Sequence, residues 1–113
     1  MTYQGNGTSV LIGSGTQSCT GNAIKGNLVV QGNSAVVTII GNTVGGNLLV
    51  QGNTAATTVN SNKVSGSMTE QGNTGATQVF TNVITQTLLC QSNTSITGGG
   101  NTAHSKTGQC STF

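Results

Sequence analysis

Apolar and polar residues alternate along this chain in short runs, separated by Gly-Asn pairs or their close relatives. From residue 21 to residue 100 the pattern returns every twenty positions, as GNAIKGNLVVQGNSAVVTII, GNTVGGNLLVQGNTAATTVN, SNKVSGSMTEQGNTGATQVF and TNVITQTLLCQSNTSITGGG. A period of two within a run is the mark of a strand, and Gly and Asn tolerate the left-handed backbone of tight corners. Three runs and three corners per repeat predict a three-sided coil. Helical hairpins are excluded, because the Gly-Asn pairs recur too closely for a helix to persist between them.

Read down the repeats, each column keeps its character. The first strand is expected to point Ile24, Val44, Val64 and Ile84 inward, and the second Leu28, Leu48, Met68 and Leu88. The third points in Ile39, Val59 and Val79, with Val37, Thr57, Thr77 and Thr97 beside them. Such columns require residues one repeat apart to lie over one another at about 4.8 Å. Identical amides then stack as ladders: Asn22, Asn42, Asn62 and Asn82; Asn33, Asn53, Asn73 and Asn93; and Gln31, Gln51, Gln71 and Gln91. The predicted fold is all-β, a three-sided β-solenoid (parallel β-helix) of about five coils, with its handedness left open. Residues 21–113 form the solenoid, ending in a shortened coil from Asn101. Residues 1–20 fit the phase poorly and are expected to form an irregular cap or a spare strand, although Gln4-Gly5-Asn6 echoes the motif.

The outward columns should expose Val29, Leu49 and Leu89 on one face and Val36, Ala56, Ala76 and Ile96 on another. Glu70 shares a column with Val30, Val50 and Cys90 that the alternation points inward, where a carboxylate needs a partner or a proton.

Composition sharpens this picture. Charged residues are 4% of the 113, against roughly 25% in ordinary domains, and comprise only Glu70, Lys25, Lys63 and Lys106. A formal charge of +2 without Arg offers no footprint for nucleic acid. No apolar run approaches the roughly 20 residues of a membrane helix, so no membrane insertion is expected. The opening Met-Thr-Tyr-Gln-Gly-Asn has neither a basic nor an apolar leader segment. The chain is therefore expected either to bypass that export route or to begin after processing.

Candidate chemistry is sparse. Cys90 and Cys110 stand one coil length apart, a distance that suits a disulfide when coils stack, and a disulfide argues for an oxidising, extracellular location. Cys19 has no evident partner and is either a buried thiol or a link between subunits. No close Cys-x-x-Cys spacing suggests a metal, and no cofactor is implied. Glu70 is the sole carboxylate side chain and His104 the sole imidazole, which leaves general acid–base and nucleophilic catalysis without a set of partners. Gly98-Gly99-Gly100 lacks the following helix and Lys-Ser/Thr of a phosphate loop.

The coils GNTVGGNLLVQGNTAATTV, the segment LLCQSNTSITGGGNTAHSKTGQC and SCTGN at 18–22 resemble a group of secreted bacterial β-solenoid repeat proteins common among actinobacteria. The resemblance covers about residues 18–110, and its Cys…Gly-Gln-Cys pattern is the most specific part. The motif Gln-Gly-Asn-Ser-Ala at 31–35 also looks like the repeat of curli-type amyloid subunits, which have two strands per turn rather than three. Together with apolar outward columns and little charge to oppose association, these features lead to the expectation of a non-enzymatic structural protein. Its partner is expected to be itself, in an extracellular fibre or surface layer. Ice and glycan surfaces are the alternative partners.

Overall fold

The structure, a computed structural model, describes residues 1–14 and 21–113. Cys19 lies outside the described residues. The strands follow one another as β1 (Thr2–Gln4), β2 (Val10–Gly13), β3 (Ala23–Ile24), β4 (Leu28–Gln31), β5 (Val37–Ile40), β6 (Thr43–Val44), β7 (Leu48–Gln51) and β8 (Thr57–Asn60). They continue as β9 (Lys63–Val64), β10 (Met68–Gln71), β11 (Ala76–Phe80), β12 (Val83–Ile84), β13 (Thr87–Gln91), β14 (Ser95–Gly99) and β15 (Ser105–Gly108). Every third strand from β3 to β14 joins the same sheet. The three sheets run β1-β4-β7-β10-β13-β15, β14-β11-β8-β5-β2 and β12-β9-β6-β3, all parallel. A Val83–Thr102 bridge extends the third. The chain is a parallel, three-sheeted β-solenoid with a repeat of about twenty residues.

Alternation makes the core. Leu28, Leu48, Met68 and Leu88 stack in one sheet, Ile39, Val59 and Val79 in the second, Val44, Val64 and Ile84 in the third, and all are buried. Thr57 and Thr77 occupy inward positions below Val37; each hydroxyl donates to a main-chain oxygen two residues back, at 3.2 and 3.3 Å. A buried hydroxyl so satisfied is tolerated in an apolar column.

Three changes of phase depart from a strict repeat. First, residues 1–14 are neither irregular nor spare: β1 pairs with β4 and β2 with β5, so Gln4 meets Gln31 and Ile12 meets Ile39. The offset there is 27 residues, and the surplus falls between Gly13, paired with Ile40, and Asn22, bonded to Asn42. That insertion hides the first turn from a search for a twenty-residue phase. Second, the corner before β14 is one residue short, so Ala76 pairs with Ser95 and Thr77 with Ile96. Ile96 therefore turns inward and packs on the core instead of standing in the outward column, and Thr97 joins the outward row of Thr38, Thr58 and Gln78. Third, Cys90 pairs with Gly108 rather than with Cys110, because the last coil has lost another residue. A turn over 109–112 then brings Cys110 back onto Cys90.

The corners obey one local rule. The residue before each buried Asn is left-handed, with φ of 56° to 70°, at Gly32, Gly52, Gly72 and Ser92 in one corner and Gly41, Ser61, Thr81 and Gly100 in the other. Thr81 adopts this conformation although it is β-branched, which is unfavourable for its side chain. Thr81→Gly is expected to raise the free energy of unfolding by about 1 kcal/mol in denaturant titrations.

Candidate functional site

No cleft dominates this molecule. Its distinctive chemistry lies in the two corners where strands of one sheet pass to the next. There the main chain turns away from the strand ladder, and buried N–H groups need another acceptor. Asparagine supplies it. In one corner Asn6, Asn33, Asn53, Asn73 and Asn93 stack, and in the other Asn22, Asn42, Asn62, Asn82 and Asn101. From Asn33 and Asn42 onward each Oδ1 accepts from both the main-chain N–H and the side-chain Nδ2 of the Asn one turn earlier, at 2.8–3.2 Å. From Asn33 and Asn42 onward, Nδ2 also donates to a main-chain oxygen of the preceding turn, such as Ile39 from Asn62 and Val59 from Asn82. From Asn42 to Asn82 and from Asn33 to Asn93 the residues are buried, and their amides are fully used.

Both asparagine ladders anticipated from the repeat are therefore present. Asn6 and Asn101, which extend them, lie out of the twenty-residue phase; the Gly before Asn101 and the Gly5-Asn6 pair were the available signals. A third, exposed ladder of opposite direction was not anticipated. Asn27 Oδ1 accepts from Asn47 N–H and Asn47 Oδ1 from Ser67 N–H, both at 2.8 Å, although Asn27 and Asn47 do recur in phase. The glutamine column is in register from Gln31 through Gln51 and Gln71 to Gln91. Among the described residues, however, its one amide–amide bond joins Gln31 to Gln4, at 3.1 Å. Long side chains at the solvent margin can bond water in place of one another, so register alone does not make a ladder. Gln4, Gln31 and Gln51 with Gly5, Gly32 and Gly52 line a shallow groove of about 400 Å³ that holds no titratable group.

Glu70 points into the core, as its column requires, and is fully buried. Oε1 has no hydrogen-bond partner, and Oε2 is 3.5 Å from Asn73 Nδ2. Desolvation by burial pushes its carboxyl well above its ordinary value of 4.5, which favours the protonated acid. The surface consequently carries no negatively charged side chain, while Lys25 and Lys63 stand exposed. His104 is exposed and Glu70 is sealed in, so these two groups do not share a solvent-facing site.

Cys90 and Cys110 form a disulfide with Cα atoms 5.2 Å apart, both buried. Structural disulfides belong to oxidising, non-cytoplasmic surroundings. Among the described residues no helix is long and apolar enough to cross a membrane, and no three His, Cys, Asp or Glu side chains gather as metal ligands. The outward apolar residues divide. Val36 is 47% exposed and Ala56 and Ala76 are exposed, whereas Val29, Leu49 and Leu89 are half-buried by the columns beside them. Leu11, at 65%, is the large apolar side chain that the poor phase of residues 1–20 concealed. No protein-family model, curated protein or solved structure matches the chain.

Two sets of variants examine these assignments. Asn62→Ala strands the donors of Asn42 and should cost at least about 3 kcal/mol in urea unfolding, whereas Gln51→Ala should change stability by less than about 0.5 kcal/mol. For Glu70 the unfolded chain loses its proton first. Stability is thus full below pH 4.5 and falls as pH rises from there to the folded-state pKa, above which it is level. Urea midpoints measured from pH 4 upward should show this decline, and Glu70→Gln should remove it.

Proposed function

We propose that this chain is a non-enzymatic structural protein, a self-associating β-solenoid subunit of an extracellular fibre or surface layer. The observation that carries the reading is a first turn whose edge, among the described residues, is unguarded. Strands β1 and β2 end their sheets, and neither contains a Lys, a Pro or any charged residue of the kind that usually protects a sheet edge. Beside that edge, Leu11 and Val36 expose apolar surface, continued by Ala56 and Ala76 along the same sheet. With no anionic side chain at the surface and few cations, electrostatic repulsion between copies is weak. The disulfide supports a place outside the reducing cytoplasm.

A second reading draws on the register shift at β14. The outward row Thr38, Thr58, Gln78 and Thr97 holds three threonines at rung spacing, a pattern suited to contact with an ordered surface such as ice. Gln78 interrupts the row, and Leu11 stands at its first rung, so self-association is the stronger reading. Thermal hysteresis in the purified protein would favour the second.

Sedimentation velocity and negative-stain microscopy of the disulfide-intact protein test the first. Association that rises with protein concentration is expected, and Leu11→Lys with Val36→Lys should suppress it. A species that stays monomeric at every concentration would remove the proposal.

A further inference from the structure

The asparagine ladders have a direction, and the two ends of the solenoid therefore differ. Within each of the two buried ladders the earlier residue donates and the later one accepts. The first turn thus ends in bare acceptors: among the described residues no donor reaches Oδ1 of Asn6 or Asn22. The last turn should end in bare donors, yet it does not. Gln109 Oε1 accepts from Asn93 N–H at 3.0 Å and from its Nδ2 at 3.1 Å, the same pair of bonds that every ladder Asn receives. Gln109 Nε2 returns a bond to Asn93 O at 2.9 Å. In the other corner Asn101 N–H donates to the main-chain oxygen of Phe113 at 3.2 Å. One five-residue segment caps both ladder ends, with both bonds at Asn93 and with the main-chain N–H alone at Asn101.

The same segment fills the open core. The Phe113 ring lies where a side chain at Gly98 would stand, so that even a Cβ there would collide with it. Cys110 is buried in the last turn and tied to Cys90. The segment is not a regular coil: Gly108 is left-handed, and a turn over 109–112 folds the chain across the end. It reproduces three of the four ladder bonds of a following turn without being one.

We propose that β15 and residues 109–113 together are a plug occupying the place of a second copy's first turn, β15 standing where its β1 would pair with β13, and that the Cys90–Cys110 disulfide latches the plug against head-to-tail stacking. With the plug displaced, the donors of Asn93 and Asn101 face the acceptors Asn6 and Asn22 of a second copy, and the edges of β1 and β2 continue the sheets. A contact of this head-to-tail kind does not close on itself and extends as a filament. A dithiol opens the latch by passing two electrons and two protons to the cystine, leaving two thiols and its own cyclic disulfide. The proposal rests on the reading that the partner is another copy. It specifies the axial contact, which is separate from the lateral face of Leu11 and Val36.

The test compares oxidised protein, protein treated with dithiothreitol, and Cys110→Ser, each with and without Asn6→Ala. Folding is followed by far-ultraviolet circular dichroism and size by sedimentation and microscopy. The unlatched forms should grow axial filaments, raising mean mass on the order of tenfold or more, and Asn6→Ala should abolish the growth. Thr107→Pro with Gln109→Gly breaks the middle of β15 and removes the side-chain acceptor of Asn93 while keeping the disulfide, and should assemble likewise if unlatching by reduction unfolds the chain. Folded but unlatched or uncapped protein of unchanged size would overturn the proposal, as would oxidised filaments that depend on Asn6. Loss of lateral association in the oxidised protein would count against the proposed function and leave this result standing.

Discussion

A solenoid must turn its main chain at every corner, and each turn takes N–H groups out of the strand ladder while keeping them buried. An orphaned buried amide is expensive, so the corner needs an acceptor delivered at the right height. Here an Asn side chain from the next turn delivers it, and in doing so exposes its own amide to the same requirement. The result is a chain of mutual dependence along the axis, from Asn6 to Gln109 in one corner and from Asn22 to Phe113 in the other. Every other regularity follows from this one, because the amides bond only when successive turns superimpose.

Departures from the repeat fall where that dependence permits. The surplus residues of the first turn lie between the Asn6 and Asn22 corners, and the residue missing from the last full turn lies between Asn93 and Asn101. In both places the ladder rungs are intact, while the side chains between them change partners or face. Ile96 moves into the core and Phe113 covers the gap at Gly98. Burial of Glu70 in the column above Val50 comes without a counter-charge and raises its pKa, and it leaves the surface without a carboxylate side chain. The molecule thus combines a weakly charged exterior, apolar at Leu11 and Val36, with two chemically unlike ends. The proposed self-association draws on both features.

Much of this was legible without coordinates. Twenty-residue periodicity, the inward columns, both asparagine ladders and the Cys90–Cys110 bond all express a single fact, superposition of turns, and a repeating sequence records superposition directly. The pairing of cysteines came out correctly even though the route did not, since Gly108 and not Cys110 holds the rung beside Cys90. Sequence reasoning lost accuracy wherever the count changed. Gln4 and Ile12 belong to a regular turn, but their partners stand 27 residues away. Ile96 keeps the twenty-residue phase on paper and breaks it in space.

Alternation and identity of residues at one spacing therefore determined the architecture, because strand period and amide stacking are local demands that each repeat must meet by itself. Only the tertiary structure decided where the register slips, how deeply Val29, Leu49 and Leu89 sink among their neighbours, and what closes the last turn. Those outcomes depend on which distant groups arrive at one place. A donor such as Asn93 N–H accepts any oxygen that reaches it, and Gln109 reaches it from a segment that shares none of the repeat.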